Sequence, residues 1–196
     1  MSLPDGLHAV PPGKFAMVVT HLEMTAPAPL RGAPCPDGLE FVDWAPDLAT
    51  YRDTFRRVGA DWLWYGRLLK TDDELGALLS DDNMPRWTLL KDGVPEAILE
   101  LDFRTPGECE LAYFGVTSKL MGTGAGAFLM DRALARAWAR PINRLHLHTC
   151  SVDSPQALGF YIRSGFTPTR REVEIDTDPR TNGLLDPSAA PHVPLM

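Results

Sequence analysis

The stretch Gly115–Met130, GVTSKLMGTGAGAFLM, places glycine at 122, 124 and 126 just before a run of helix formers. Each glycine adds entropy to the unfolded chain and none has a side chain to pack, so the cluster needs a reason. Glycine so placed lets something approach the backbone closely: a phosphate, a nucleotide or another strand. A loose turn before a helix is the plainer alternative. Gly122, Gly124 and Ala127 also satisfy the GxGxxG/A spacing of a dinucleotide site. The context of such a site is missing, because the preceding strand ends an antiparallel meander, no acidic residue follows about 20 positions on, and too little chain remains for a doubly wound sheet. The third reading is a helix start whose free N–H groups and positive dipole end bind a pyrophosphate.

Working outward, Cys109 to Val116 (CELAYFGV) reads as the strand that feeds this loop. Before it, Trp87 to Leu90, the turn Asp92-Gly93 and Ala97 to Phe103 form a hairpin, since Asp-Gly between apolar runs is a strong turn signal. Asp47 to Gly59 and Asp61 to Leu79 have apolar residues at helical spacing and predict two helices. Lys14 to Met24 is a β-branched strand, followed by a proline-rich loop to about Pro36. After the glycines, a helix is predicted from about Gly124 to Ala139, then a strand from Arg144 to Cys150. Ser154-Pro155 opens a further helix that Gly165 closes, with Ser as N-cap and Pro at the first position. Arg170 to Ile175 is a candidate last strand. The Pro-, Asp- and Gly-rich remainder reads as a tail held by few contacts.

Two segments carry a family resemblance. Met121-Gly122-Thr123-Gly124-Ala125-Gly126 resembles the acetyl-coenzyme A loop Gln/Arg-x-x-Gly-x-Gly/Ala of the GNAT superfamily of N-acetyltransferases, with Met121 in place of Gln or Arg. DSPQALGFYIRSGF, Asp153 to Phe166, resembles the later N-x-x-A-x-x-x-Y-x-x-x-G-F segment in Ala157, Tyr161, Gly165 and Phe166, with Ser154 where Asn is usual. The resemblance covers roughly Glu110 to Phe166. It implies an α/β (α+β) fold with a mixed, mostly antiparallel central sheet flanked by helices. It also implies transfer of an acetyl group from acetyl-CoA, a co-substrate, to a primary amine by direct attack through a tetrahedral intermediate. The coenzyme would lie along Phe114, Gly115 and Val116, over Met121 to Ala127, and beside Ser154, Ala157 and Tyr161. No metal is implied.

Within that reading Tyr161 is the candidate acid, because a phenol of pKa about 10 keeps its proton at neutral pH and can donate to a thiolate. A core aromatic beside Ala157 and Leu158 is the other reading. Glu110 is the candidate base, with a solvated carboxylate near a turn as its alternative. Tyr113, expected on the opposite face of the strand, is a second polar candidate. A backbone N–H near Val116, at a bulge in the strand, would polarise the carbonyl. His146 and His148 are assigned no role. Trp62, Trp64 and Tyr65 are either acceptor-pocket or core residues, and Asp72, Asp73, Glu74, Asp81 and Asp82 read as a solvated surface.

With 196 residues and 44% hydrophobic content, the chain suits one domain over 1–196, with loosely held segments at 1–12 and 177–196. A net charge of -7 argues against a nucleic-acid partner and favours a small-molecule or peptide amine. Cys35, Cys109 and Cys150 fit neither a disulfide framework nor a zinc site. With no leader-like start and no membrane-length apolar run, a soluble cytoplasmic protein is expected. A homodimer is left open. Two alternatives remain: a catalytically inactive acyl-CoA-binding sensor of the same fold, and a nucleotide-dependent oxidoreductase.

Overall fold

A computed structural model describes residues 3–195. Its strands are β1 (Lys14–Met24), β2 (Leu39–Asp43), β3 (Arg86–Lys91), β4 (Val94–Pro95), β5 (Ala97–Asp102), β6 (Glu108–Val116), β7 (Arg144–Cys150) and β8 (Thr167–Thr177). The helices are α1 (Leu48–Gly59), α2 (Asp72–Leu79), α3 (Ala125–Trp138) and α4 (Ala157–Arg163). One sheet runs β2-β3-β5-β6-β7-β1-β8, with β4 paired to β3. Every pairing is antiparallel except β6 with β7. The expected mixed, mostly antiparallel sheet with flanking helices is therefore the observed one.

Alternation along the strands divides the apolar residues between two faces. On one, Leu22, Leu99, Leu101, Leu111, Leu145 and Leu147 pack with Phe128, Leu129, Ala133 and Leu134 of α3. On the other, Phe15, Met17, Val19 and Ile98 pack with Tyr51, Phe55 and Val58 of α1 and with Leu75 of α2. α3 also fixes the proline-rich loop: buried Asp131 accepts from the amides of Arg31 (3.1 Å) and Ala33 (3.0 Å). The β3–β4 turn takes Asp92 and Gly93 to positive φ, as its Asp-Gly sequence predicts.

Four expectations are corrected. Asp61 to Leu79 is not one helix. A 3-10 turn at Ala60–Trp62 ends with Leu63 left-handed, and α2 starts only at Asp72, where Thr71 and Glu74 form a reciprocal capping box. β2 was not foreseen; it is a short, half-buried edge strand with a weak pattern. α4 begins at Ala157, because Ser154 and Pro155 are spent in a turn whose carbonyl at Ser154 accepts from the amide of Ala157 (2.8 Å). The last strand, β8, runs from Thr167 to Thr177 rather than only Arg170 to Ile175, paired along its length with β1.

The tail differs most. Residues 3–12 are exposed and carry no helix or strand, but the chain beyond Thr177 folds back on the α1 face. Leu185, Ala189 and Ala190 join the core there. Arg180 and Asp178 form a buried ion pair at 2.7 Å, and Arg180 Nη1 also donates to the carbonyls of Ala189, Ala190 and Val193. One guanidinium thus satisfies carbonyls that a tail without regular structure would otherwise bury unpaired. Arg180→Met leaves Asp178 buried without its cation and is expected to lower the unfolding free energy by about 3–5 kcal/mol in urea titration. An unchanged midpoint would return the tail to a loosely held segment.

Candidate functional site

β6 and β7 are hydrogen-bonded neighbours only over Glu108–Arg144, Cys109–Leu145 and Glu110–His146. Beyond Glu110 the two strands part, β6 staying with β5 and β7 with β1. A cleft of about 800 Å³ occupies the gap and joins the two faces of the sheet. Glu110, Phe114, Gly115, Val116, Met121, Gly122, Gly126, Ser154, Ala157 and Tyr161 all line it. Thr123, Gly124, Ala125 and Ala127 lie beside it in the loop and the start of α3 without lining it.

The register of β6 shows what the parting exposes. The amide of Thr117 donates to the carbonyl of Glu96 (2.9 Å), and Val116 lies opposite Ala97. Bonding alternates along an antiparallel pair, so Gly115 bonds toward β5, whereas the N–H and C=O groups of Phe114 and Val116 turn toward the open side. The strand has a bulge, but not at Val116. Glu100 faces Tyr113 while Leu101 faces Leu111, which leaves Ala112 as the extra residue. That residue resets the alternation and puts Glu110 and Tyr113 on the same face, correcting the expectation of opposite faces.

The glycines divide by role. Gly122 (φ 75°) and Gly124 (φ 91°) adopt left-handed conformations that turn the chain into α3. Gly126 is helical, yet a Cβ built there meets nothing within 4 Å, as at Gly122 and Gly124. The first helical bond is Phe128 N–H to the carbonyl of Gly124 (3.1 Å). The amides of Gly122, Gly124, Gly126 and Ala127 have no acceptor among the described residues. Bare amides at the start of a 14-residue helix, on a loop whose glycines have open space where a Cβ would stand, fit a pyrophosphate. Gly115 has a packing reason instead: a Cβ there would lie 2.7 Å from Val58 Cγ1 and 3.0 Å from Trp64.

Three carboxylates, Glu96 and Glu100 buried and Asp153 half-buried, hold these parts in place. Glu96 receives Thr117 Oγ1 (2.8 Å), Lys119 Nζ (2.8 Å) and Arg57 Nη1 (2.9 Å), fixing the turn from β6 to the glycine loop. Asp153 accepts from Thr149 Oγ1 (2.7 Å), the amide of Cys150 (2.9 Å) and Trp64 Nε1 (3.3 Å), which ties the end of β7 to the 60–71 segment. Glu100, fully buried, receives Tyr51 Oη (2.6 Å) and Arg67 Nη2 (2.9 Å). Arg67 thereby lies over the Tyr113 ring, 4.7 Å from its centroid, at the cleft wall.

Tyr161 sits among Phe114, Phe160 and Phe166, and its hydroxyl has no hydrogen-bond partner among the described residues. Burial first, and then the charge of Asp153, raise its pKa. Burial also pushes the Tyr113 phenol up to about 12. Glu110 and His148 meet across the parting strands at 3.5 Å. The imidazole lowers the carboxyl pKa of Glu110, and Glu110 raises that of His148.

His148, Arg67, Asp153 and Glu174 are cleft residues that the sequence reading left without a role. Of these, only His148 had a usable signal, alternating with Leu145 and Leu147 on a predicted strand. Trp62, Trp64 and Tyr65 line the cleft, and Trp64 and Tyr65 also pack against the α1 core. The five acidic residues from Asp72 to Asp82 are not among the lining residues.

A mostly antiparallel sheet opened between its one parallel pair is the fold of GNAT acetyltransferases. The Acetyltransferase (GNAT) family model matches residues 44–166, and the chain belongs to that family. Solved structures share the fold at low identity. A GCN5-related N-acetyltransferase from Sphaerobacter thermophilus has a TM-score of 0.63 at 16% identity, over 86% of this chain and 53% of its own. A GCN5-related N-acetyltransferase from Kribbella flavida gives 0.54 at 19%, over 85% and 60%. The ribosomal-protein-S18-alanine N-acetyltransferase from Escherichia coli gives 0.55 at 15%, over 70% and 90%. The chain thus spans about half the length of the Sphaerobacter protein. No curated protein sequence matches it.

Gly126→Asp tests the amide cradle. The protein leaves room for the side chain, and replacing a helical glycine favours the helix, so the melting temperature should hold. The stabilisation that acetyl-CoA confers on the parent should vanish, and an undiminished shift would refute the placement. The Glu110–His148 pair gives a pH test. Glu110, with its pKa held below 4.5, contributes stability that is lost as pH falls through that lowered value. His148, with its pKa raised above 6.5, contributes stability that is lost as pH rises through that raised value. A double-mutant cycle with Glu110→Gln and His148→Gln should show its largest coupling between pH 4.5 and 6.5.

Proposed function

We propose that this chain is an N-acetyltransferase that moves the acetyl group of acetyl-CoA to a primary amine by direct attack. The observation that carries the reading is the cleft through the sheet. Bare amides lie at its α3 end, the turned-out amides of Phe114 and Val116 lie along it, and Tyr161 Oη is unengaged beside it. GNAT acetyltransferases use acetyl-CoA, which would supply the activated acyl group as a thioester.

The chain's own groups divide the work. Gly122, Gly124, Gly126 and Ala127 offer amides to the pyrophosphate, aided by the helix dipole. Ser154 and Ala157 line the cleft beside Tyr161, where the pantetheine arm would run. The amides of Phe114 and Val116 face the opening as donors to a carbonyl oxygen, and one such donor is worth roughly 10² to 10³ in rate. This replaces the expected bulge at Val116, because the strand's register alone frees the group.

Tyr161 keeps its proton through the neutral range, since its pKa is raised. It is a weaker acid than a thiol of pKa about 8.5, so it acts by holding a hydrogen bond to departing thiolate. Glu110 takes the amine's proton, directly or through water, at the opposite side of the gap. Its lowered pKa makes it a modest base, so turnover should rise with pH as more of the bound amine sheds its own proton and becomes nucleophilic.

Tyr161→Phe should lower turnover about 10²-fold with little loss of acetyl-CoA affinity, as for loss of a hydrogen-bond donor that serves only the transition state. Thiol release measured with a panel of amines, beside calorimetric titration of acetyl-CoA, checks both halves. Tight coenzyme binding without thiol release on any amine would favour an inactive acyl-CoA sensor. Stabilisation by a nicotinamide dinucleotide alone would overturn the coenzyme assignment.

A further inference from the structure

The helices and the tail cover only part of the α1 face of the sheet. Its other part is polar and crosses four neighbouring strands in the order β6, β7, β1, β8. Glu108 and Glu110 of β6 stand beside His146 and His148 of β7. His21 and Glu23 of β1 follow, then Glu172 and Glu174 of β8, as the registers require. All are exposed or half-buried. Five carboxylates there face two permanent cations, Arg144 and Arg170.

Their pairing is uneven. Glu23 and Glu108 share Arg144, Glu110 faces His148, and Glu172 binds His21 at 2.7 Å with Arg170 at 3.5 Å. Glu174 alone of the five has no cationic partner among the described residues, and it lines the cleft. On β8 it stands opposite Met17 and shares the cleft lining with Tyr65, Glu110 and His148.

The cationic groups at this end of the cleft are already committed. Arg67 is held by Glu100 and Arg104 by Asp102. The cleft's other guanidinium, Arg163, is on α4 at the coenzyme side, so a carboxylate on the acceptor would find no free guanidinium at this end, whereas a second ammonium would find Glu174 and, outside the cleft, Glu172. Trp62, Trp64 and Tyr65 line the cleft and supply apolar surface for the hydrocarbon between two charges.

Resting on the acetyltransferase reading, we propose that the acceptor is a dicationic amine. One nitrogen reacts beside Glu110 and the other is held by Glu174 and Glu172 on the open sheet face. The selective groups are thus on β8, a strand that carries none of the family's motif residues. They act on the distal charge and touch no reacting atom.

Three probes of matched length separate the possibilities: 1,5-diaminopentane, 1-aminopentane and 6-aminohexanoate, each followed by thiol release with acetyl-CoA and by calorimetric binding. The diamine should exceed the monoamine at least about tenfold in kcat/KM, mainly through KM, and the carboxylate-bearing amine should be the poorest. Glu172→Gln with Glu174→Gln should narrow the diamine-to-monoamine ratio by about tenfold, as two exposed ion pairs would contribute. Raising the salt concentration should narrow it likewise. Equal turnover of diamine and monoamine, or preference for 6-aminohexanoate, would overturn the inference and leave the acetyltransferase reading standing. Diamine binding that depends on Glu174, without thiol release, would uphold the binding site and overturn the transferase reading. Neither binding nor turnover of the diamine would overturn the inference.

Discussion

The parting of β6 from β7 is the constraint on which the rest of the molecule depends. Two parallel neighbours share backbone bonds at Glu108–Glu110 and Arg144–His146, and then each keeps only its antiparallel partner. A sheet interior normally pairs every N–H and C=O, because unpaired buried groups are costly. Here the cost is avoided by leaving those groups beside a cleft that a ligand's polar chain can enter. Everything else either keeps the gap open or furnishes its walls.

Its walls are held by a set of bonded carboxylates, Glu96 and Glu100 buried and Asp153 half-buried. Glu96 fixes the turn that carries β6 into the glycine loop, Asp153 fixes the departure of β7, and Glu100 fixes Arg67 at the wall. Each accepts bonds from elements distant in sequence, so each acts as a clamp between chain segments. Removing one partner from Glu96 or Glu100 leaves a desolvated charge, which is more damaging than losing an ordinary surface pair. The cleft's geometry is therefore better determined than its loop-rich lining suggests, and the Glu110–His148 pair sits at the point where the strands begin to diverge.

Much of the scaffold was legible in local pattern. β1 and β7 occupy the predicted residues, and Asp92-Gly93 makes the predicted turn. Gly165 takes the left-handed conformation that closes α4, with its face against Ala28 and Met24. These are features whose cause lies within a few residues: alternation, a positive φ, a helix stop. The readings that failed have causes elsewhere in the chain. Residues 61–71 carry helical spacing but are drawn out of helix by Trp64 packing on Gly115 and by Arg67 reaching Glu100. The tail looked unattached because the guanidinium that organises it binds carbonyls, which composition does not register.

The sequence by itself determined the family, the glycine-bearing helix start and the place of Tyr161, since each depends on residue types at fixed short spacing. Tertiary structure decided the rest of the site. It moved the bulge to Ala112, turned Glu110 and Tyr113 to one face, freed the amides of Phe114 and Val116, and brought His148 and Glu174 to the cleft. The physical reason is register. Which backbone groups are free and which side chains share a face depend on how strands far apart in sequence align, and one extra residue in one strand reverses the outcome.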